Sequence, residues 1–196
     1  MNYKGILFFL GIYSLLVAFF SVLNILYSFY FNFVIDIDSY LITLGISLSV
    51  GGFFCLIGRS NNKDISISDQ IVFIIFGFVF IPLLISIPYF LSIYNISFFD
   101  SYFESISGIT TTGFSIIYDI KNIDEPLLLW RSSSQWIGGL FFLVAVIGTI
   151  GSKQVKIKPL YLVQESILGQ NFYNNFNFNF LRIFLVYFIS TILVIF

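Results

Sequence analysis

The sequence predicts an all-α integral membrane protein, and three observations lead there. Hydrophobic residues make up 58% of the 196 residues and charged residues only 10%, with a mean hydropathy of +0.97. A soluble domain carries about 25% charged residues, the share that wets its surface. Five apolar stretches follow one another along the chain, each near or above the length needed to cross about 30 Å of hydrocarbon. The nine Lys and Arg residues lie at or between the ends of these stretches, unequally shared between two sides.

The same composition excludes several functions. A formal net charge of -1 gives no basic field to recruit nucleic acid. The chain has no histidine, so His metal sites, His general bases and His proton relays are ruled out. Ser105-Ile106-Ser107-Gly108 resembles a serine-hydrolase loop, but a Ser–His dyad cannot form, and no enzyme is expected. The single cysteine, Cys55, cannot make an internal disulfide and sits in an apolar run, where a packing role suits it.

The first apolar stretch runs from about Gly5 to Phe31. It far exceeds the roughly 7–15 apolar residues of a signal peptide, and no small-x-small cleavage site follows. The second runs from Tyr40 to Gly58 and carries Gly45, Ser47, Ser49, Gly51 and Gly52, small residues that let another helix approach closely. The third runs from Ile71 to about Tyr94 and contains Pro82 and Pro88, so a kink is expected near its outer end. The fourth spans Pro126 to Ile150, with Pro126 in a first helical turn and Trp130 expected at headgroup depth. A polar, Asn-rich segment at 152–177 precedes the last run, Phe178 to Phe196.

Lys4, Arg59, Lys63, Lys153, Lys156, Lys158 and Arg182 fall on one side, against Lys121 and Arg131 on the other. By the positive-inside rule the N-terminus and the 152–177 connector are cytoplasmic, and residues 95–125 face outward. The three lysines of the connector also suit anionic lipid. Gly138-Gly139 and Gly148/Gly151 read as close helix contacts.

Between the third and fourth spans lies a helix too short to cross. Ser97 followed by Asp100 reads as a helix start, an N-cap hydroxyl with an acid three residues on. The helix runs only to about Gly108, roughly half of what a bilayer needs. Both neighbouring spans place their outer ends on one side, so this helix is expected to be re-entrant. Non-helical backbone at that depth is tolerated where protein buries it or water reaches it, so Thr110-Thr111-Thr112-Gly113-Phe114 lines a cavity. There the helix points its partially negative end inward, and extended residues turn backbone carbonyls to replace a cation's hydration shell. Gly113 supplies the φ > 0 freedom that such a ladder needs. Read without that context, a Thr/Gly cluster is a helix-packing surface.

Phe103-Glu104-Ser105-Ile106-Ser107-Gly108-Ile109-Thr110-Thr111-Thr112-Gly113-Phe114 resembles the pore helix and selectivity-filter loop of the first repeat of a TrkH-type potassium-uptake subunit, in the Trk/Ktr/HKT superfamily. Leu129-Trp130-Arg131-Ser132-Ser133-Ser134-Gln135-Trp136-Ile137-Gly138-Gly139-Leu140 resembles the start of that repeat's inner helix. The resemblance implies residues 1–64 as two leading transmembrane helices and 65–151 as a first pore repeat of outer helix, pore helix, filter and inner helix. It further implies 152–177 as a cytoplasmic connector and 178–196 as the start of a second repeat's outer helix. Four such repeats would surround one pore in a homodimer of the bacterial inner membrane, with a cytoplasmic nucleotide-binding TrkA-like regulatory subunit as partner. No covalent cofactor is implied, and potassium is the transported ion.

Carried onto this chain, Gly113 is the filter glycine and Thr110, Thr111 and Thr112 are the carbonyl donors beside it. Potassium is then expected at Thr111, Thr112 and Gly113. Phe114 takes the place of the aromatic in a Thr-Val-Gly-Tyr-Gly filter, and Ser115 that of its second glycine. Glu104 has two readings: an acid that draws cations to the filter, or a carboxylate holding loop amides from behind. The second is preferred, because filter-lining acids usually sit on the loop. Asp100 and Asp119 suit an outer vestibule, with capping an equal role for Asp100. Arg131 can pair with Glu104 or Asp100, or snorkel outward.

The family pattern needs four repeats, and one Thr-Thr-Gly-Phe is present. The last run ends about 20 Å beyond Arg182 at helical rise, so a partial translocating subunit is expected. A non-conducting fragment that packs against other membrane helices, and a broken-helix secondary transporter, stay open as alternatives.

Overall fold

The computed structural model describes residues 2–33, 37–59, 67–117, 123–150 and 176–195, and all regular structure among them is helical. The order is α1 (Tyr3–Tyr30), α2 (Ile37–Gly58), α3 (Ile67–Leu91), α4 (Phe98–Ile109), α5 (Glu125–Ile150) and α6 (Phe176–Ile195). Each predicted stretch corresponds to one helix. By length and composition α1, α2 and most of α3 can cross a membrane. The connector at 152–177 lies outside the described residues except for the start of α6, as do Lys63, Asp119 and Lys121.

The first two helices form an antiparallel pair built on small residues. Gly11, Ser14, Ala18 and Ser21 of α1 and Ser39, Thr43, Ser47 and Gly51 of α2 are all buried. A Cβ added at Gly11 would lie 3.0 Å from the Gly51 carbonyl oxygen, so the backbones touch there. The hydroxyls turn back on their own helices: Ser14 donates to the Leu10 carbonyl, Ser21 to Val17 and Thr43 to Ser39. Of the predicted small row on α2, Gly51 meets α1 and Ser47 is buried, whereas Gly45 and Gly52 face open space. Asn2 starts α1, accepting the Gly5 amide on its side chain, and its own N–H donates to Asp69 at 2.8 Å. That bond ties the start of α1 to the first turn of α3.

The third helix continues through both prolines. A proline cannot donate to the carbonyl four residues back, and its ring disturbs the ladder around it. Side chains from two other helices supply donors beside these breaks. The Tyr102 hydroxyl of α4 donates to the Val79 carbonyl at 3.0 Å, three residues before Pro82. Trp130 Nε1 of α5 donates to the Ile85 carbonyl, also at 3.0 Å and three residues before Pro88. Polar contacts from neighbouring helices around such breaks help make proline tolerable in an apolar medium. Trp130 is therefore buried against α3, with its ring beside Tyr40, and is not an outward-facing interfacial anchor. The side chain that suits headgroup depth, an apolar body with one N–H, suits this inner contact equally well.

Behind α5 an aromatic cluster fills the centre. The Phe141 ring meets Tyr13, Phe73 and Phe78 at centroid distances of 5.1, 5.4 and 4.9 Å. Gly77 makes room for it, since any Cβ there would overlap the ring. The last helix joins through Trp136, whose Nε1 donates to the Thr191 hydroxyl at 3.1 Å and whose ring packs on Tyr187 and Phe20. Phe19, Leu26, Phe53, Leu56, Phe76 and Val186 are exposed on the outer faces, where a bilayer would be the solvent.

Candidate ion filter

The short helix α4 has 12 residues, about 18 Å at helical rise. Ser97 caps it: its hydroxyl oxygen accepts the Asp100 amide at 3.2 Å and donates to the Asp100 carboxylate at 2.7 Å. Asp100 is thus held in the first turn, where a negative charge complements the helix dipole. One face of α4, formed by Ser101, Glu104, Ser105, Gly108 and Ile109, is buried, and Phe99 and Phe103 lie on the exposed side. The fit against α5 is tight at two glycines. A Cβ at Gly138 would overlap the Ile109 carbonyl, and one at Gly108 would overlap the Ser134 hydroxyl.

The end of α4 organises the loop. Thr110 is the last residue in right-handed conformation, and Thr111 follows with φ of 57°. The Thr111 amide donates to the Gly108 carbonyl at 2.9 Å and the Thr112 amide to Ser107 at 3.1 Å. This is the Schellman pair of bonds, in which glycine usually occupies the left-handed position. A β-branched residue there is strained. Gly113, at φ of 79°, makes a second left-handed turn two residues on. The hydroxyls of Thr110 and Thr112 are used locally, on the Ile106 and Ser107 carbonyls at 2.7 and 3.2 Å.

Glu104 and Arg131 brace the loop from behind. Glu104 is fully buried, and one carboxylate oxygen accepts both the Ser115 hydroxyl and the Ile116 amide at 2.6 Å. Its other oxygen pairs with Arg131. The same guanidinium donates to the carbonyls of Gly113 at 2.9 Å and Phe114 at 3.2 Å, and the Ser107 hydroxyl also donates to Phe114. A buried ion pair is tolerable when its remaining donors and acceptors are filled in this way. Of the partners open to Arg131 on sequence grounds, the structure brings it to Glu104 and leaves Asp100 with its cap.

The oxygens left over define what the site can do. Thr111, Thr112, Gly113 and Phe114 are exposed, and the carbonyls of Thr110, Thr111 and Thr112 accept no hydrogen bond among the described residues. Three neutral oxygens on consecutive residues therefore stand free, while those of Gly113 and Phe114 are shared with Arg131. Sequence reasoning did not single out Ser107, Ser115 or Ile116 as partners of the loop. The first two carry no signal beyond small polar residues near a turn, and the third acts through its backbone amide. No group of three His, Cys, Asp or Glu side chains gathers among the described residues.

Comparison with known proteins gives concordant results. Residues 41–196 match the family model for TrkH, described as a cation transport protein. An uncharacterized cation transporter of Methanocaldococcus jannaschii is 31% identical over 141 residues, covering 72% of this chain and 29% of that protein. The Trk system potassium uptake protein TrkH of Halomonas elongata is 30% identical over 118 residues, covering 58% of this chain and 24% of that protein. For the Trk system potassium uptake protein TrkG of Escherichia coli the figures are 28% over 112 residues, 57% and 23%. The chain thus spans less than a third of the length of these relatives. No solved structure matches. With a family model matched over most of its length, the chain belongs to the TrkH family of cation transport proteins.

Proposed function

We propose that this chain is the first part of the translocating subunit of a potassium-uptake system, and that its 98–115 segment is one quarter of a selectivity filter. The observation that carries this reading is that the carbonyls of Thr110, Thr111 and Thr112 accept no hydrogen bond among the described residues, on a loop exposed from Thr111 to Phe114 and braced by Glu104 and Arg131. Backbone carbonyls replace the hydration shell of a weakly hydrated cation without trapping it. The potassium site comprises Thr111, Thr112 and Gly113, with the Gly113 oxygen shared with Arg131. Phe114 flanks this site. Flow follows the electrochemical gradient, and no covalent step is required.

The entry of α4 from one side is supported by Tyr94 and Asp124. The Tyr94 hydroxyl accepts the Asp124 amide at 3.0 Å and bonds the Asp124 side chain, drawing the end of α3 and the start of α5 together. A helix of 12 residues lying between those ends enters and leaves from the same face. By this reading residues 1–64 are the leading pair, 65–151 the first pore repeat, and α6 opens the outer helix of a second. Membership of the TrkH family and the spanning-length helices support a bacterial inner-membrane protein, and the lysine and arginine bias supports a cytoplasmic N-terminus. A homodimer served by a cytoplasmic nucleotide-binding TrkA-like subunit completes the proposal.

The test is rubidium tracer uptake into vesicles under an inside-negative potential, using the natural polypeptide that contains these residues. Uptake that unlabelled potassium suppresses and choline does not is the expected result. Uptake indifferent to potassium, or none from protein shown to be inserted and helical, contradicts the proposal.

A further inference from the structure

Lys4 and Arg59 lie far apart in sequence and meet at one end of the α1–α2 pair. The meeting follows from a backbone contact. A Cβ added at Gly58 would lie 2.7 Å from the Lys4 carbonyl oxygen and 2.5 Å from Phe8 Cβ. Consecutive Cα atoms are about 3.8 Å apart, so Arg59 leaves the backbone one residue beyond this contact, beside Lys4. Lys4, Phe8, Gly11 and Leu15 form the stripe of α1 that faces α2, where they meet Gly58, Cys55 and Gly51. Because α2 ends at Gly58, the Lys4 side chain, tilted toward the start of its own helix, passes beyond that end.

Both side chains are exposed, and neither forms an ion pair among the described residues. The acid at this end, Asp69, is buried and takes the Asn2 amide instead. The partly positive start of the 28-residue α1 adds to the two charges. The surface next to Arg59 is apolar and open. Arg59, Leu56, Gly52 and Leu48 follow at spacings of three and four residues and so share one face of α2. Leu56 is 72% and Leu48 48% exposed, and a Cβ at Gly52 would meet nothing within 4 Å. A shallow trough bounded by leucines therefore runs from the two cations toward the middle of the helix. A soluble anion would leave that trough unused, and an apolar helix lying in it would leave the charges unmatched. A molecule with an anionic head and a hydrocarbon chain uses both.

We propose that Lys4 and Arg59 form a site for the phosphate of an anionic phospholipid, with one acyl chain lying along Leu56, Gly52 and Leu48. Arg59 offers a planar fork of donors that matches phosphate oxygens, and Lys4 a compact charge on a flexible stem. One headgroup held by both side chains fastens the end of α2 to the start of α1. The site stands apart from the filter and does not depend on that assignment.

The test is photo-cross-linking to lipid, mapped by peptide mass spectrometry on the natural polypeptide in phosphatidylcholine nanodiscs. The discs carry a minor share of phosphatidylglycerol or phosphatidylcholine with a photoreactive group on the acyl chain. Phosphatidylglycerol is expected to label residues 48–56 in excess over phosphatidylcholine, with no such excess on α3 at residues 75–83. Lys4→Gln and Arg59→Gln are each expected to cut the excess about fivefold, the preference that one Lys or Arg near an anionic lipid surface carries. Lys4→Arg is expected to keep it. Both positions are exposed, so the variants should retain helical content, which circular dichroism checks. Equal labelling by the two lipids, or an excess that survives both Gln substitutions, overturns the proposal. An equal excess on α3 overturns it too, since that means diffuse attraction to a charged surface. So does a lack of label on 48–56 from either lipid, which means that another helix covers the face. Displacement of the phosphatidylglycerol label by inorganic phosphate means a free-anion site and likewise overturns it.

Discussion

Glu104 and Arg131, 27 positions apart, form a buried ion pair behind the Thr110–Phe114 loop, and each partner also holds loop backbone. Glu104 takes the Ile116 amide and Arg131 the Gly113 and Phe114 carbonyls, so the pair sets the loop from both ends. Removing one member leaves the other charged, buried and unmatched, which costs about 3–5 kcal/mol. Arg131→Ala and Glu104→Gln are each expected to lower unfolding stability in detergent by that order. Combining them should cost less than the sum, since the second change removes the stranded charge. Additive losses would show that the two side chains act independently.

Thr111 presents the opposite case, a residue whose replacement should help the fold. Its left-handed conformation costs about 1–3 kcal/mol for a β-branched side chain. The end of α1 has the same bonding pattern with Asn32 at φ of 59°, a residue type that adopts this conformation more readily. Thr111→Asn is therefore expected to raise thermal stability by about 1 kcal/mol. Thermal unfolding of the purified chain checks this; a loss of stability would mean that the threonine makes a compensating contact.

Glycines separate close contact from open space. Gly138→Ala would drive a methyl into the Ile109 carbonyl and should destabilise by about 1–3 kcal/mol while shifting the end of α4. Gly52→Ala meets nothing and should stabilise α2 by up to about 1 kcal/mol through helix propensity. Equal effects of the two substitutions in the same unfolding assay would contradict the packing described.

Trp130 distinguishes an inner fastener from an interfacial anchor. Trp130→Phe keeps the aromatic bulk and removes the buried hydrogen bond from Nε1 to the Ile85 carbonyl. The expected cost is about 1 kcal/mol. A side chain resting at the headgroups would show almost none.

Much of this arrangement was legible in the sequence because a bilayer imposes simple rules. Apolar runs of sufficient length gave the long helices, Ser97 and Asp100 marked where the short one starts, and its length showed that it cannot span. The Thr-Thr-Thr-Gly run marked the loop that follows the short helix, with Gly113 at the positive φ expected of it. The brace was less legible. Glu104 could be read as an attractor or as a support, because its partners, a backbone amide 12 positions on and a guanidinium 27 positions on, are matters of tertiary packing. The same holds for Trp130, where one sequence pattern fits two environments. The strain at Thr111 has no sequence signal at all, because threonine is a poor choice for that conformation and only the surrounding bonds impose it.

The central claim is that ions pass along the free carbonyls of Thr110, Thr111 and Thr112, and Gly113 is the position at which to challenge it. Nothing lies within 4 Å of where a Cβ would stand on Gly113, so Gly113→Asp puts a carboxylate on the exposed side of the loop, at a φ that only glycine adopts freely. The measurement is rubidium tracer flux into liposomes holding the natural polypeptide, with and without this substitution. The account predicts at least a tenfold loss of flux, with helical content and membrane insertion unchanged. Equal flux in the two proteins would mean that ions take another path, and the filter assignment would fall.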